Sequence, residues 1–328
     1  PMTGVLTTPE PRLNTAAPTL PEALPLTSAL AAQAMFPVTS REEMRGQSTA
    51  TPDALRDAAD NASVWTALMD RLAAIPGYHT LFFAAYPTVT DFGDFTFGHA
   101  ARAIAAFERE AWTALDTPLD RYLGGDTSAL SASAKRGGLL FFGRASCANC
   151  HNGPLLSDFE HHAVCVPQVG PGKVEANEDR GLALETLDVA DNYKFRTPAL
   201  RNVALTGPWM HDGAFTTLEA AVRHHLDPLS SLTSFDLSQL PAPFNTMVDN
   251  DPVRNAARVA ALSPDHPMSV GLSESEFADL MAFLHALTDP ASLNLLGITP
   301  DSVPCGLPGS DCSRRGRKPR ACAGSSGV

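Results

Sequence analysis

Apolar residues recur at helical spacing along much of this chain, and no stretch of strand length alternates convincingly between apolar and polar positions. Residues 1–50 are rich in Pro, Thr and Ala and predict extended loop, with one short helical piece around Leu26 to Met35. A helix is expected to open at Thr51-Pro52-Asp53, a capping residue followed by proline in the first turn. Leu55, Ala62, Trp65, Leu68, Met69 and Leu72 mark its buried face, and Pro76-Gly77 ends it. A further helix runs from about Phe97 to Leu115 on Phe97, Ala101, Ile104, Phe107 and Ala111.

A polar joint, LGGDTSALSAS at 123–133, marks the expected domain boundary. It divides the chain into 1–125, 126–297 and a tail, 298–328, expected to be disordered. A helix carrying Leu139, Leu140, Phe141 and Phe142 leads into SCANCH, and residues 153–192 lack periodicity and predict loop. Helices follow from the capping-box pattern Thr216 to Glu219, ending near Leu226, and over 273–290 from the pair Ser273 and Glu276. The expected fold is mainly α.

At 328 residues and 44% hydrophobic, the chain can bury one good core or two. No apolar run approaches the ~18 residues of a bilayer span. Acidic residues outnumber basic ones 36 to 24, for a formal charge of −12. Arg314, Arg315, Arg317, Lys318 and Arg320 crowd into the last sixteen residues, so the body is 19 against 36, or −17. Such a surface repels nucleic acid and suits a small basic partner.

Among six cysteines, Cys147 and Cys150 alone have ligand spacing, and His151 follows directly. Two thiols on one turn can reach the two vinyl groups of a porphyrin and leave the adjacent imidazole beneath the iron, so this run reads as a c-type haem attachment site. A zinc site would want a second pair, and a redox dithiol a βαβ setting; neither is present. For the sixth iron ligand, His225 lies on the apolar face of TTLEAAVRHH, three residues after Val222 and seven after Leu218, while His224 is rotated by about 100°. Met210, Met247, Met268 and Met281 are the other candidates.

FFGRASCANCHNGPLLSD, followed by KFRTPALRNVALTGPWMHDGAFTTLEAAVRHH, resembles the C-terminal half of the bacterial dihaem cytochrome c peroxidase and MauG superfamily, over roughly residues 25–297. The resemblance implies two cytochrome c-like helical domains with one haem each and calcium (Ca2+) between them. It places Cys147, Cys150 and His151 at the C-terminal haem. It puts His225 at the distal position, where typical peroxidases carry Met and MauG carries Tyr; bis-histidine ligation lowers the potential relative to His/Met. It further implies that backbone carbonyls of Thr206 and Pro208 help bind calcium, and that His211, with Arg196, borders a haem propionate. The stretch LAAQAMFPVTSREEM, ending at Met44, resembles the segment following the peroxidatic haem. Glu43 then matches the acid/base that moves a proton during O–O cleavage, with Gln33 and Pro37 in the same pocket.

The function implied is reduction of hydrogen peroxide with electrons passed through the haem at Cys147 and Cys150. The alternatives are a single-haem electron-transfer cytochrome and a MauG-like oxidase acting on a partner protein. A small electron donor of cytochrome c or cupredoxin type, a periplasmic location and a possible homodimer follow from the same resemblance. The family's first attachment motif lies upstream of the segment matching LAAQ, and the residues before that segment here hold no Cys, His or Trp. The expectation is therefore an N-terminally incomplete member with a second haem in the full-length protein. Cys165 reads as a lone thiol; Cys305, Cys312 and Cys322 are not read as ligands.

Overall fold

The computed structural model describes residues 26–304 apart from 27, 42, 50, 174–177, 296, 299 and 301. The tail's cysteines, Cys305, Cys312 and Cys322, and its basic cluster lie outside them. The chain is mainly helical, as its periodicity implies, and forms two compact units. One holds the described residues up to Thr113 and those from Asn294 onward; the other is Ala114–Leu293.

The first unit contains α1 (Ala29–Gln33), α2 (Asn61–Ala73), α3 (Pro76–Ala85) and α4 (Phe97–Trp112). Its core gathers Ala34, Met35, Val38, Trp65, Met69, Phe82, Phe92, Phe95, Phe97 and Ala101. Trp65 donates from Nε1 to the Met35 carbonyl at 3.0 Å, so the indole is buried without an orphaned donor. The helix expected from Thr51 begins later. Asp53 instead accepts from the amides of Leu55 and Arg56 in a local turn, and Asp60 caps α2 through the Ser63 amide. Ala62 is accordingly exposed and Val64 buried. Pro76 does more than stop a helix: it occupies the first position of α3, where its missing N–H costs nothing. On α4 the buried side is Phe97, Ala100, Ala101 and Ala105, whereas Ile104 and Phe107 are exposed.

The second unit contains α5 (Pro118–Leu123), α6 (Ala132–Phe141), α7 (Ala183–Thr186), α8 (Leu218–Leu226), α9 (Pro228–Thr233), α10 (Pro252–Ala260) and α11 (Glu274–His285). It starts upstream of the polar joint because α5 is tied into it. Arg201 grips Asp120 through two hydrogen bonds of 2.7 and 2.8 Å, and the Leu119 amide donates to the Ala286 carbonyl. Ser273 and Glu276 form the expected capping box on α11. Thr217, not Thr216, caps α8, accepting from the Ala220 amide.

The described residues of 153–192 are mostly loop, broken by α7 and by short ordered pieces. The two-residue strand β1 (His161–His162) pairs antiparallel with β3 (Phe195–Arg196), and β2 (Gln168–Val169) pairs with β4 (Val248–Asp249). A buried ionic network backs this region. Arg258, 1% exposed, meets Asp249 at 2.5 Å, Arg254 also pairs with Asp249, and Tyr193 donates to Glu178 at 2.6 Å. With both charges paired and hydrogen-bonded, burial is tolerable.

The decisive packing is α6 against α11. A Cβ at Gly137 would sit 1.9 Å from the Asp279 carbonyl oxygen and 2.9 Å from the Phe283 Cβ. Asp279 in turn accepts from Ser133 and, at 2.6 and 2.7 Å, from Arg136. The core around this crossing comprises Phe141, Leu156, Leu200, Leu218, Phe277, Leu280, Phe283, Leu284 and Leu287.

Gly137→Ala is expected to destabilise the protein by about 1–3 kcal/mol through overpacking, measured by denaturant unfolding. Hydrogen bonds from Arg201 hold the Asp120 carboxyl down at about 2, against an ordinary 3.8. That contribution is complete above the ordinary value and disappears as pH falls through the folded one. Unfolding midpoints are therefore expected to drop between about pH 4 and pH 2, and Asp120→Asn to flatten that part of the curve.

Candidate functional site

Past the end of α6 the chain turns sharply at Ser146, in the left-handed region at φ 58°. Cys147–Asn149 then form a single 3-10 turn whose carbonyl at Cys147 accepts from the His151 amide at 2.8 Å. Both thiols are free. Burial pushes the Cys147 thiol up to about 12 and the Cys150 thiol up to about 11. A redox dithiol needs the opposite, an environment that favours the anion. These thiols are neutral, and suited to covalent addition. Cys150, Asp158 and His162 do bring three donor atoms within 4.8 Å of one another, but Asp158 and His162 satisfy each other at 2.8 Å.

The loop after the motif folds back beneath the histidine. Gly153, at φ 67°, lets the chain reverse so that the Leu156 carbonyl lies 3.0 Å from His151 Nδ1. A carbonyl can only accept, so Nδ1 carries the hydrogen and Nε2 keeps its lone pair. Burial lowers the pKa of this ring and keeps it neutral, the form in which imidazole ligates a metal.

The neighbouring histidines of α8 divide sharply. His224 is fully buried, with Nδ1 2.9 Å from Ser231 Oγ and Nε2 2.8 Å from the Val164 carbonyl. Both nitrogens are used, so His224 is a satisfied core residue. His225 is half-buried by accessible surface yet densely surrounded, and its Nδ1 lies 3.2 Å from His266 Nε2. Burial holds its pKa well below the ordinary value, and charge on His224, His266 or His151 would lower it further. His151 and His225 are thus near enough to feel each other's charge. The helix carrying His225 also contributes Leu218, Val222 and Leu226 to the cluster that includes Cys147 and Ala148.

The other expected ligands are placed differently. Met281 is buried in the α11 core, Met268 is 56% exposed, and Met210 packs against a separate cluster with Phe215 and Ala221. The His211 ring stacks on Phe195 of β3 at 3.6 Å, while the guanidinium of Arg196, the other β3 residue, lies over Phe159 at 4.7 Å. Asp212, beside His211, accepts from the Val169 and Ala214 amides, and its burial pushes the carboxyl up to about 7. Thr206 and Pro208 are exposed. Cys165 is buried and free, with Sγ 3.3 Å from the Arg258 carbonyl.

Glu43, Gln33 and Pro37 belong to the first unit. Gln33 closes α1 and is exposed, Pro37 is half-buried, and Glu43 is exposed. The Met44 amide donates to the Pro37 carbonyl at 3.1 Å, closing a loop that brings the Glu43 backbone back toward Pro37. Periodicity could not single out His266: it lies in a polar, Pro-flanked loop, SPDHPM, with no repeat to mark it.

The donor set fits a covalently attached haem: two neutral thiols on one turn, and two neutral imidazoles whose Nδ1 atoms are engaged. Comparison with known proteins points the same way. The family model for di-haem cytochrome c peroxidase matches residues 17–128. Methylamine utilization protein MauG of Methylorubrum extorquens is 30% identical over 267 residues, covering 81% of this chain and 60% of that protein. Cytochrome-c peroxidase IdrP1 of Denitromonas iodatirespirans is 32% identical over 246 residues, covering 66% of this chain and 56% of that protein. A solved MauG-like protein associated with microbial copper homeostasis superposes with a TM-score of 0.58 at 29% identity, over 80% of this chain and 69% of that one. The chain therefore spans between 56% and 60% of the length of these two curated relatives.

Proposed function

Since this chain belongs to the di-haem cytochrome c peroxidase and MauG superfamily, we propose that it is the electron-relaying part of a peroxidase-type oxidoreductase that reduces hydrogen peroxide. The observation that carries this reading is the paired histidine arrangement: His151 and His225 each present an Nε2 lone pair, because each Nδ1 is already engaged. Bound haem c would supply one-electron chemistry, held by Cys147, Cys150, His151 and His225. With His151 and His225 both holding the group, this part of the chain would serve to pass electrons, and peroxide would be met elsewhere. Arg196 in β3 and His211, stacked on Phe195 of the same strand, are the proposed propionate neighbours. Exposed backbone at Thr206 and Pro208 offers hard carbonyl oxygens to calcium.

The proton work belongs to the other unit. Glu43 would deliver a proton to the leaving oxygen of peroxide, with Gln33 and Pro37 shaping its surroundings; the turn closed by the Pro37 carbonyl supports that grouping. Among the described residues no helix is long and apolar enough to cross a membrane. A periplasmic location, where haem c is attached, suits this reading, as does a small cytochrome c or cupredoxin donor. The acidic body favours a basic docking face on that donor.

A pyridine haemochrome assay and near-infrared spectrum of the haem-loaded chain are expected to show one covalent haem with a bis-histidine signature, and His225→Met to raise its potential. A His/Met or high-spin signature in the unsubstituted chain would refute the ligand assignment. In the natural protein, Glu43→Gln is expected to lower peroxide turnover about 10²–10⁴-fold in a stopped-flow assay while leaving that spectrum unchanged. Full activity in this variant would remove Glu43 from the mechanism.

A further inference from the structure

We propose that His266 is a positioning residue that selects the tautomer of His225 and so decides which nitrogen faces the metal; this rests on His225 being the distal ligand. The argument is one of donors and acceptors in sequence. His266 Nδ1 lies 2.8 Å from the Pro267 carbonyl, which can only accept, so Nδ1 carries the hydrogen. The neutral ring then has a lone pair at Nε2, and the atom facing it at 3.2 Å is His225 Nδ1. His225 must donate from Nδ1, and its Nε2 is left without a hydrogen. A backbone carbonyl two histidines away thus sets the coordinating atom. On the opposite side, the Leu156 carbonyl does the same for His151 directly.

The segment carrying His266 is built to hold this position. Ser263, buried, accepts from the Ala163 amide at 2.8 Å and donates its own amide to the Ala163 carbonyl at 2.9 Å. The His266 amide closes onto the Ser263 carbonyl at 3.0 Å. Asn149 Nδ2, on the cysteine turn, donates to the Asp265 carbonyl at 3.0 Å, and the Val270 amide donates to the Leu226 carbonyl at 2.7 Å. One loop therefore clasps the attachment turn at one end and the last residue of α8 at the other, with His266 between. An acceptor on the Nδ1 hydrogen also makes the ligand more basic, which favours the ferric state.

The test uses the full chain loaded with haem c, as wild type, His225→Ala, His266→Leu and His266→Gln. Ferric electron paramagnetic resonance, the near-infrared ligand band and the reduction potential are read on each. Wild type should give a single bis-imidazole species, and His225→Ala should lose it. His266→Leu should retain the haem but divide into bis-imidazole and non-bis-imidazole populations. Its potential should rise by about 59 mV, corresponding to a tenfold loss of ferric preference for a one-electron couple. His266→Gln, which restores an acceptor, should recover most of the wild-type spectrum. Wild-type spectra and potential in His266→Leu, alongside loss in His225→Ala, would overturn the positioning role and leave the ligand assignment standing. Loss in His266→Leu with retention in His225→Ala would make His266 itself the ligand and overturn both. Absence of a bis-imidazole species in the wild type would also remove both.

Discussion

The close approach of α6 and α11 at Gly137 is the constraint on which the second unit turns. The Asp279 carbonyl occupies the space any larger residue would need, and the Asp279 side chain then ties back to Ser133 and Arg136 on the same helix. Sterics and charge thus fix one crossing. The consequences run outward from both helix ends. α6 delivers Phe141 into the core, the residues after it add Ala145, and the Cys147 turn starts from a fixed point. Just past α11, the Leu287 carbonyl accepts from Asn202 and the Ala286 carbonyl from Leu119, so the segment following β3 and the start of α5 are registered against the same helix.

Burial does opposite work at adjacent positions. At His224 it is offset by two hydrogen bonds, and the ring serves the core. At His225 one bond is made and one nitrogen remains. The difference is a rotation of one residue along α8, enough to exchange Ser231 and Val164 for His266. Burial also raises the two cysteine thiols and lowers the two candidate axial imidazoles, keeping all four groups neutral. Charge is concentrated elsewhere, in the network of Arg258, Arg254, Asp249 and Glu178 behind β2 and β4.

Much of this was legible in the chain because local chemistry agreed with tertiary packing. The Ser273 and Glu276 box marks α11, and C-x-x-C-H marks the attachment turn by residue type and spacing alone. Helical rotation does distinguish the adjacent histidines of α8, but it is His224 that is fully buried while His225 is half-buried, so the apolar-face argument does not by itself choose between them. Legibility failed where the decisive contact was non-local or where a residue has two uses. Asp53 reads as part of a helix start but caps a turn, Pro76 reads as a terminator but opens α3, and Ile104 and Phe107 follow the period yet stay exposed. The tie of Arg201 to Asp120, which draws α5 into the second unit, spans a sequence separation no window contains. His266 was invisible for the same reason: its meaning comes from a carbonyl on one side and α8 on the other.

The two Nδ1 anchors carry a consequence for speed as well as identity. Both imidazoles are oriented by contacts that belong to the protein: a loop carbonyl for His151, and a clasped histidine for His225. Rings restrained this way have little room to rotate or withdraw when the charge between them changes by one electron. Under the relay reading, ligand rings held this way would keep the rearrangement that accompanies electron transfer small. A loop that looks like a mere connection between α10 and α11 would then act as the damper of the redox centre.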